Sequence, residues 1–350
     1  MINEYNAYCL SDFMQIVADI GRSVGMSPKV PPVLWFRGQR VYTWDLEPSI
    51  FRKINNHKED LKNEENARKE HFIAKNNQFF TQKPEVSSEW LEVMQHHEVK
   101  TRLLDWSESA IHSLIFTLEC FFDPNDHLDQ DRMNAMPCMW VFEPQKWNEY
   151  VIQKVIWDNQ ALNYIKGLCI AHDEKNNMEN ALWSLRSHLN KLNIFSAPHL
   201  SHIFNFAEIE RIAVGFSMRG RKLSKQEFEE IVLYLMLYAI FNMKVEVDPE
   251  EIPPLAVNIP YHSERIRAQK GVFTVFPLYK ETPMMKCMAA FQVHLDAMQN
   301  MKHINQCLHR IKLYNPRKIA YEMMNLGMNI SWLYPEIPVV SNEIEARKIT

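Results

Sequence analysis

Four residues that lie close together in the sequence could do chemistry as a set: His96, His97, Arg102 and Asp105. They sit in the stretch Gln95–Phe116, QHHEVKTRLLDWSESAIHSLIF. The chemistry they suit is recognition of an anionic group, because a guanidinium binds phosphate or carboxylate with two parallel donors. TRLLDW carries a buried-strand signal in Leu103, Leu104 and Trp106, with polar side chains at Arg102 and Asp105. Ser107 is placed to cap a helix whose apolar face reads Ile111, Leu114, Ile115 and Leu118. A strand running into a capped helix sets its last polar residues at the mouth of a cleft, where free N–H groups and the helix dipole favour anions. The same residues also fit a buried Arg–Asp brace with surface histidines.

Two further polar patches accompany this stretch. In VLWFRGQ, Arg37 stands where the apolar strand of residues 33–39 stops, and Gly38 permits a tight turn or a close backbone approach by a ligand. In YHSERIRAQKGVFTVFPL, residues 261–278, Arg265 and Gln269 lie one helical turn apart before Gly271 and an apolar β run. Gln269 has its amide free either for a ligand or for a neighbouring strand edge. Arg37, Arg102 and Asp105 are expected to converge on one concave site. No Ser–His–Asp or Cys–His arrangement offers a clear nucleophile. His199 and His202 in PHLSH have a spacing of three, but a third ligand is missing, so no metal is predicted. The basic cluster MRGRK at 218–222 reads as a solvated turn.

Composition sets the outer limits. The chain has 350 residues, 46% of them hydrophobic, enough for one large domain or two. A net charge of −4 gives no general attraction to nucleic acid or to an anionic membrane. No apolar run reaches the length of a membrane span, and the start MINEYNAYCLSDF lacks a signal pattern. Six scattered cysteines without a CxxC pair suit reduced thiols in a cytoplasm. Only 8 glycines are present, which leaves no GxGxxG and no P-loop.

The elements that must position these residues follow in order. Ser11 or Asp12 caps a first helix with Phe13, Ile16, Val17 and Ile20 on one face. Residues 58–82 read as a long, largely exposed helix. A helix capped near Ser88, with Trp90, Leu91 and Met94 buried, delivers the chain to Gln95. Short strands are expected at 33–39, 101–106, 139–143, 255–260 and 271–278. Helical stretches are expected at 147–156 and 178–192, and SKQE at 224–227 has the spacing of a capping box opening a helix to about Met243. Beyond Thr282 the chain reads as helical and Met-rich. The fold class is therefore α+β: a small mixed sheet surrounded by helices, with residues 1–146 and 251–350 framing a largely helical insertion at 147–250.

Five motifs in this order resemble the FRG domain family: FRGQ at 36–39, WDLEPSIFR at 44–52, the Gln95–Trp106 stretch, MWVFEP at 139–144 and RIRAQKGVFTVFP at 265–277. Where the family pattern reads HHG-[LV]-PTRLLDWT-x-SP, this chain has Glu98, Lys100, Ser107 and Ala110, changes that touch turn chemistry more than the polar set. A second resemblance is to the arginine-bearing class of ADP-ribosyltransferases, in which an aromatic–Arg–Gly strand end holds the pyrophosphate of NAD. WFRG at 35–38 resembles that element, TRLLDWSES at 101–109 the second, and Arg265 to Gln269 the third. This implies NAD as substrate, with Arg37, Asp105 and Gln269 in catalytic roles. Arg37, Gly38, Gln39, His96, His97, Thr101, Arg102 and Arg265 would hold the nucleotide. Glu264 and Glu108 do not fall where a catalytic Glu is expected. Two functions follow: an ADP-ribosyltransferase-like effector of toxin or defence type acting on a macromolecular acceptor, or a non-catalytic nucleotide-binding or protein-interaction module.

Overall fold

The computed structural model describes residues 2–24, 33–52, 61–80, 83–122, 136–169, 172–190, 203–216, 224–247, 251–277, 291, 294 and 307–334. Eight strands make one mixed sheet: β1 (Asn3–Ala7), β2 (Trp35–Gln39), β3 (Leu103–Ser107), β4 (Cys138–Phe142), β5 (Phe204–Asn205), β6 (Leu255–Asn258), β7 (Gly271–Val275) and β8 (Leu308–Leu313). Their spatial order is β1-β8-β4-β2-β3-β7-β6-β5. The pairs β1–β8 and β5–β6 are parallel, and the rest are antiparallel.

Alternation along the central strands gives the sheet two buried faces. Trp35, Trp140 and Phe142 point into one core, and Phe36, Met139 and Val141 into the other. The second core is covered by α1 (Leu10–Ser23), α4 (Ala110–Leu118) and α11 (Pro316–Asn325), through Phe13, Leu114 and Ile319. The first holds residues of α2 (Leu61–Asn76), α3 (Ser87–His96), α5 (Pro144–Val155), α6 (Asn159–Gly167), α7 (His172–Asn190), α8 (Phe206–Val214) and α9 (Lys225–Phe241). A short helix, α10 (Glu264–Ala268), leads into β7. Helices on both faces of a mixed sheet make this an α+β fold.

All five expected strands are present, and three more join them. β8 lies where the sequence reads as helix; its Arg310 and Lys312 alternate with buried Ile311 and Leu313, a strand with one partly polar face. β1 has few apolar residues and owes its place to pairing with β8. β5 falls inside the span read as a helical insertion and pairs with β6 at the sheet edge. The capping box at Ser224 and Glu227 forms as expected. The cap before α4 is Ser109, not Ser107, which ends β3 instead. His199, His202, the 218–222 cluster and the methionines from Met284 to Met301 lie outside the described residues.

Candidate functional site

Helix α3 carries the site along one face. Its residues Glu92, Gln95 and His96 have the i, i+3, i+4 spacing that stacks side chains on neighbouring turns. The helix ends in a Schellman motif: Val99 N donates to Met94 O at 2.9 Å and Glu98 N to Gln95 O at 3.1 Å. That turn needs a left-handed residue, and Glu98 supplies it with φ 61°. The chain then doubles back into β3, bringing Asp105 to Gln95. Gln95 Nε2 donates to both carboxylate oxygens of Asp105 at 3.0 Å. Thr101, fully buried, donates its hydroxyl to Gln95 Oε1 and accepts from Leu103 N at 3.2 Å.

Arg37 meets the same group from β2. The strands β2 and β3 are joined by one residue pair, Phe36 with Ser107. Beyond it, Arg37 Nη1 takes the main-chain carbonyl of Asp105 at 2.7 Å and lies 3.7 Å from its carboxylate. Burial lowers the Arg37 pKa; the Asp105 carboxylate opposes that shift and a second guanidinium, Arg52, adds to it. Arg52 is itself anchored on a carbonyl, donating Nε and Nη2 to Glu47 O at 3.1 and 2.9 Å. Nε of Arg37 is buried and has no hydrogen-bond partner. Two guanidiniums within electrostatic reach of each other thus hydrogen-bond to main-chain oxygens, and Arg37 has the Asp105 carboxylate at ion-pair distance besides.

The structure places the other predicted residues as follows. Arg102 does not join Arg37 and Asp105: it is fully buried, its Nε 3.2 Å from Glu65 Oε2, and its main-chain N donates to Glu65 Oε1 at 3.0 Å. The expected convergence of Arg37, Arg102 and Asp105 therefore holds for Arg37 and Asp105 alone. Gly38 faces α4. A Cβ there would stand 1.7 Å from Thr117 Oγ1 and 2.6 Å from Ser113 O, so helix packing accounts for the glycine. Gln39 spends its amide inside the fold, donating to Asp45 O at 3.0 Å and accepting from Trp140 Nε1 at 2.8 Å. Gln269 donates its amide to Leu333 O at 3.1 Å, and Arg265 stacks over the Tyr334 ring with 4.2 Å to the centroid. Both therefore face the C-terminal segment. His97 is exposed beside Phe72, while His96 lies 3.2 Å from Ser263 Oγ.

Three participants escaped the sequence reading. Arg52 closes a quoted motif, WDLEPSIFR, but carried no spacing signal of its own. Glu92 did carry one, its place one turn before Gln95 on α3. It is fully buried, and neither carboxylate oxygen makes a well-formed hydrogen bond. Burial pushes its carboxyl up to about 8, the main-chain N–H of His262 opposing the shift and Glu89 adding to it. His262, the third, places Nδ1 3.7 Å from Glu92 Oε2. Among the described residues no cluster of His, Cys, Asp or Glu has the makings of a metal site, and no helix is long and apolar enough to cross a membrane.

The geometry defines an α+β protein in which Arg37, Asp105 and Gln95 form a polar group where β2 and β3 share one residue pair and α3 ends. The family model for the FRG domain matches residues 33–126, so the chain carries an FRG domain over that span. The match contains Arg37, Arg52, Glu92, Gln95 and Asp105; the motifs at 139–144 and 265–277 lie beyond it. No curated protein and no solved structure matches the chain.

Proposed function

We propose that this FRG domain binds a phosphate-bearing ligand, a diphosphate nucleotide of the NAD type, with Arg37 and Arg52 on its phosphates. One observation carries this reading: the two guanidiniums lie within electrostatic reach of each other, and each is anchored on a main-chain carbonyl. A dianion offsets that repulsion and accepts the Arg37 donors that the fold leaves unused. Asp105, held by Gln95, orients Arg37 from the far side. Calorimetry of the whole chain with ADP and with NAD tests the reading, and saturable binding of either supports it. Absence of binding at millimolar ligand rejects it.

Transfer of the ADP-ribosyl group to a macromolecular acceptor, as in a toxin or defence effector, is the finer form of this proposal. In its favour stands the Asp105 carboxylate, half exposed beside Arg37 and able to stabilise an oxocarbenium-like cation. Gln269 has no part in this version, because its amide is bonded to Leu333. Labelled NAD separates the two forms. Turnover supports transfer, whereas binding without turnover leaves a nucleotide-recognition module.

A further inference from the structure

The sequence holds no clear Ser–His–Asp set, but the fold builds a Ser–His pair on the turn from β3 into α4. Ser109 Oγ lies 2.7 Å from His112 Nδ1, and both residues are partly exposed. A capping serine needs only to accept from an N–H, and Ser109 does so from His112 N at 3.4 Å. Its own proton is left for Nδ1, a contact that capping does not call for. Burial and the Lys270 charge both lower the His112 pKa, so the ring is neutral at neutral pH and Nδ1 is free to accept.

The surroundings of the pair come from distant parts of the chain. The turn that carries Ser109 is pinned to the start of β7: Ser109 N donates to Ser107 Oγ at 3.0 Å, and Ser107 Oγ donates to Gln269 O at 2.6 Å. Glu108 N donates to Lys270 O at 3.0 Å. Lys270 is exposed, with a left-handed backbone of φ 50°, and its ammonium pairs with no carboxylate among the described residues. Trp332, also exposed, sets its ring centroid 6.3 Å from that of His112.

We infer that Ser109 is a nucleophile and His112 its general base, in a site that takes the acyl group of a small ester or thioester. Ser109 Oγ attacks the carbonyl carbon and its proton passes to His112 Nδ1. The leaving alcohol or thiol takes that proton as its bond to the acyl group breaks. Water then cleaves the acyl-Ser109 ester: His112 accepts a proton from it and returns one to Ser109 Oγ, and a carboxylic acid departs. Lys270 and the first N–H groups of α4, which have no acceptor inside the helix, offset the charge on the carbonyl oxygen. Trp332 is an apolar wall for the acyl chain. None of these groups is assigned to the nucleotide, so this inference and the phosphate reading stand or fall separately.

The test is labelling of the full chain with a fluorophosphonate, followed by intact mass and peptide mapping, together with release of nitrophenol from p-nitrophenyl acetate. A single adduct on Ser109 is expected in the native chain and none on Ser109 in the urea-unfolded chain, a comparison that needs no variant. Ser109→Asn keeps a capping acceptor and should lose both the adduct and nitrophenol release. His112→Gln should label about a hundredfold more slowly, the low end of what a positioned base contributes. No adduct at millimolar reagent, equal labelling of Ser109 in the native and unfolded chains, or a folded His112→Gln variant labelled at the wild-type rate would overturn the inference.

Discussion

Gln95 holds Asp105 away from Arg37: its amide nitrogen donates to both carboxylate oxygens at 3.0 Å, and the carboxylate stays 3.7 Å from the guanidinium. Thr101 fixes the other end of the Gln95 amide. The consequence is an Arg37 whose ion pair with the Asp105 carboxylate stays long while its hydrogen bond goes to the Asp105 carbonyl.

Gln95→Leu should let the carboxylate close on Arg37 and compete with a bound phosphate. ADP affinity is expected to fall about tenfold, or about 1.4 kcal/mol. Stability should drop by only about 1 kcal/mol, the typical net value of a hydrogen bond. Adding Asp105→Asn to the Gln95→Leu background should restore most of the affinity. Calorimetry on the three proteins reads this directly, and a double variant as weak as Gln95→Leu would reject the competition.

The Arg102–Glu65 pair serves stability. Arg102→Met or Glu65→Gln alone strands a buried charge, and each should cost about 3–5 kcal/mol in urea denaturation. Combining Arg102→Met with Glu65→Leu should recover part of that loss; the main-chain N–H of Arg102 still lacks its acceptor. ADP affinity of the folded fraction should not change. A variant that loses affinity without losing stability would return Arg102 to the site.

Arg37 and Asp105 were legible as polar residues set in apolar runs, but both stand in the middle of their strands, β2 and β3, and the single residue pair joining those strands brings them together. Arg102 was misplaced for a physical reason. Its partner Glu65 lies in the charged run LKNEENARKEHFIAKN, whose average polarity hides the fact that Leu61 and Glu65 turn inward. Pairing with Glu65 then keeps Arg102 in the core, one residue before β3. Gly38 looked like a ligand approach because a glycine in a strand serves close packing and close binding equally well. The Thr117 contact that decides between them arises 79 positions later. The β8 strand was hidden by Arg310 and Lys312, whose charged ends lie over the Tyr42 ring, Arg310 over Trp140 as well.

Glu98 sits at a left-handed position that glycine fills without a Cβ penalty, and the FRG pattern has glycine there. Glu98→Gly should stabilise the protein by about 1 kcal/mol, seen as a higher thermal midpoint. A lower midpoint would mean that the Glu98 side chain contributes more than its backbone strain costs.

Glu92 makes stability depend on pH with an uncommon sign. Its carboxyl holds a proton up to about 8 when folded, against 4.5 for the unconstrained group. The folded state therefore binds more protons between those values, and stability is lost as pH rises through that window. Glu92→Gln should remove this slope, becoming more stable than the wild type above pH 8 and close to it near pH 4.5. Parallel denaturation curves for the two proteins across this range would contradict the assignment.

The most direct measurement of the central claim is the affinity of Arg37→Lys for ADP and NAD. Lysine keeps the charge but loses the fork that spans the Asp105 carbonyl and a phosphate together. Calorimetry should show wild-type binding that weakens tenfold or more in Arg37→Lys and in Arg37→Ala, and a further loss when Arg52→Ala is added. Wild-type binding left unchanged by Arg37→Lys, or no affinity in the wild type at millimolar nucleotide, would contradict the account.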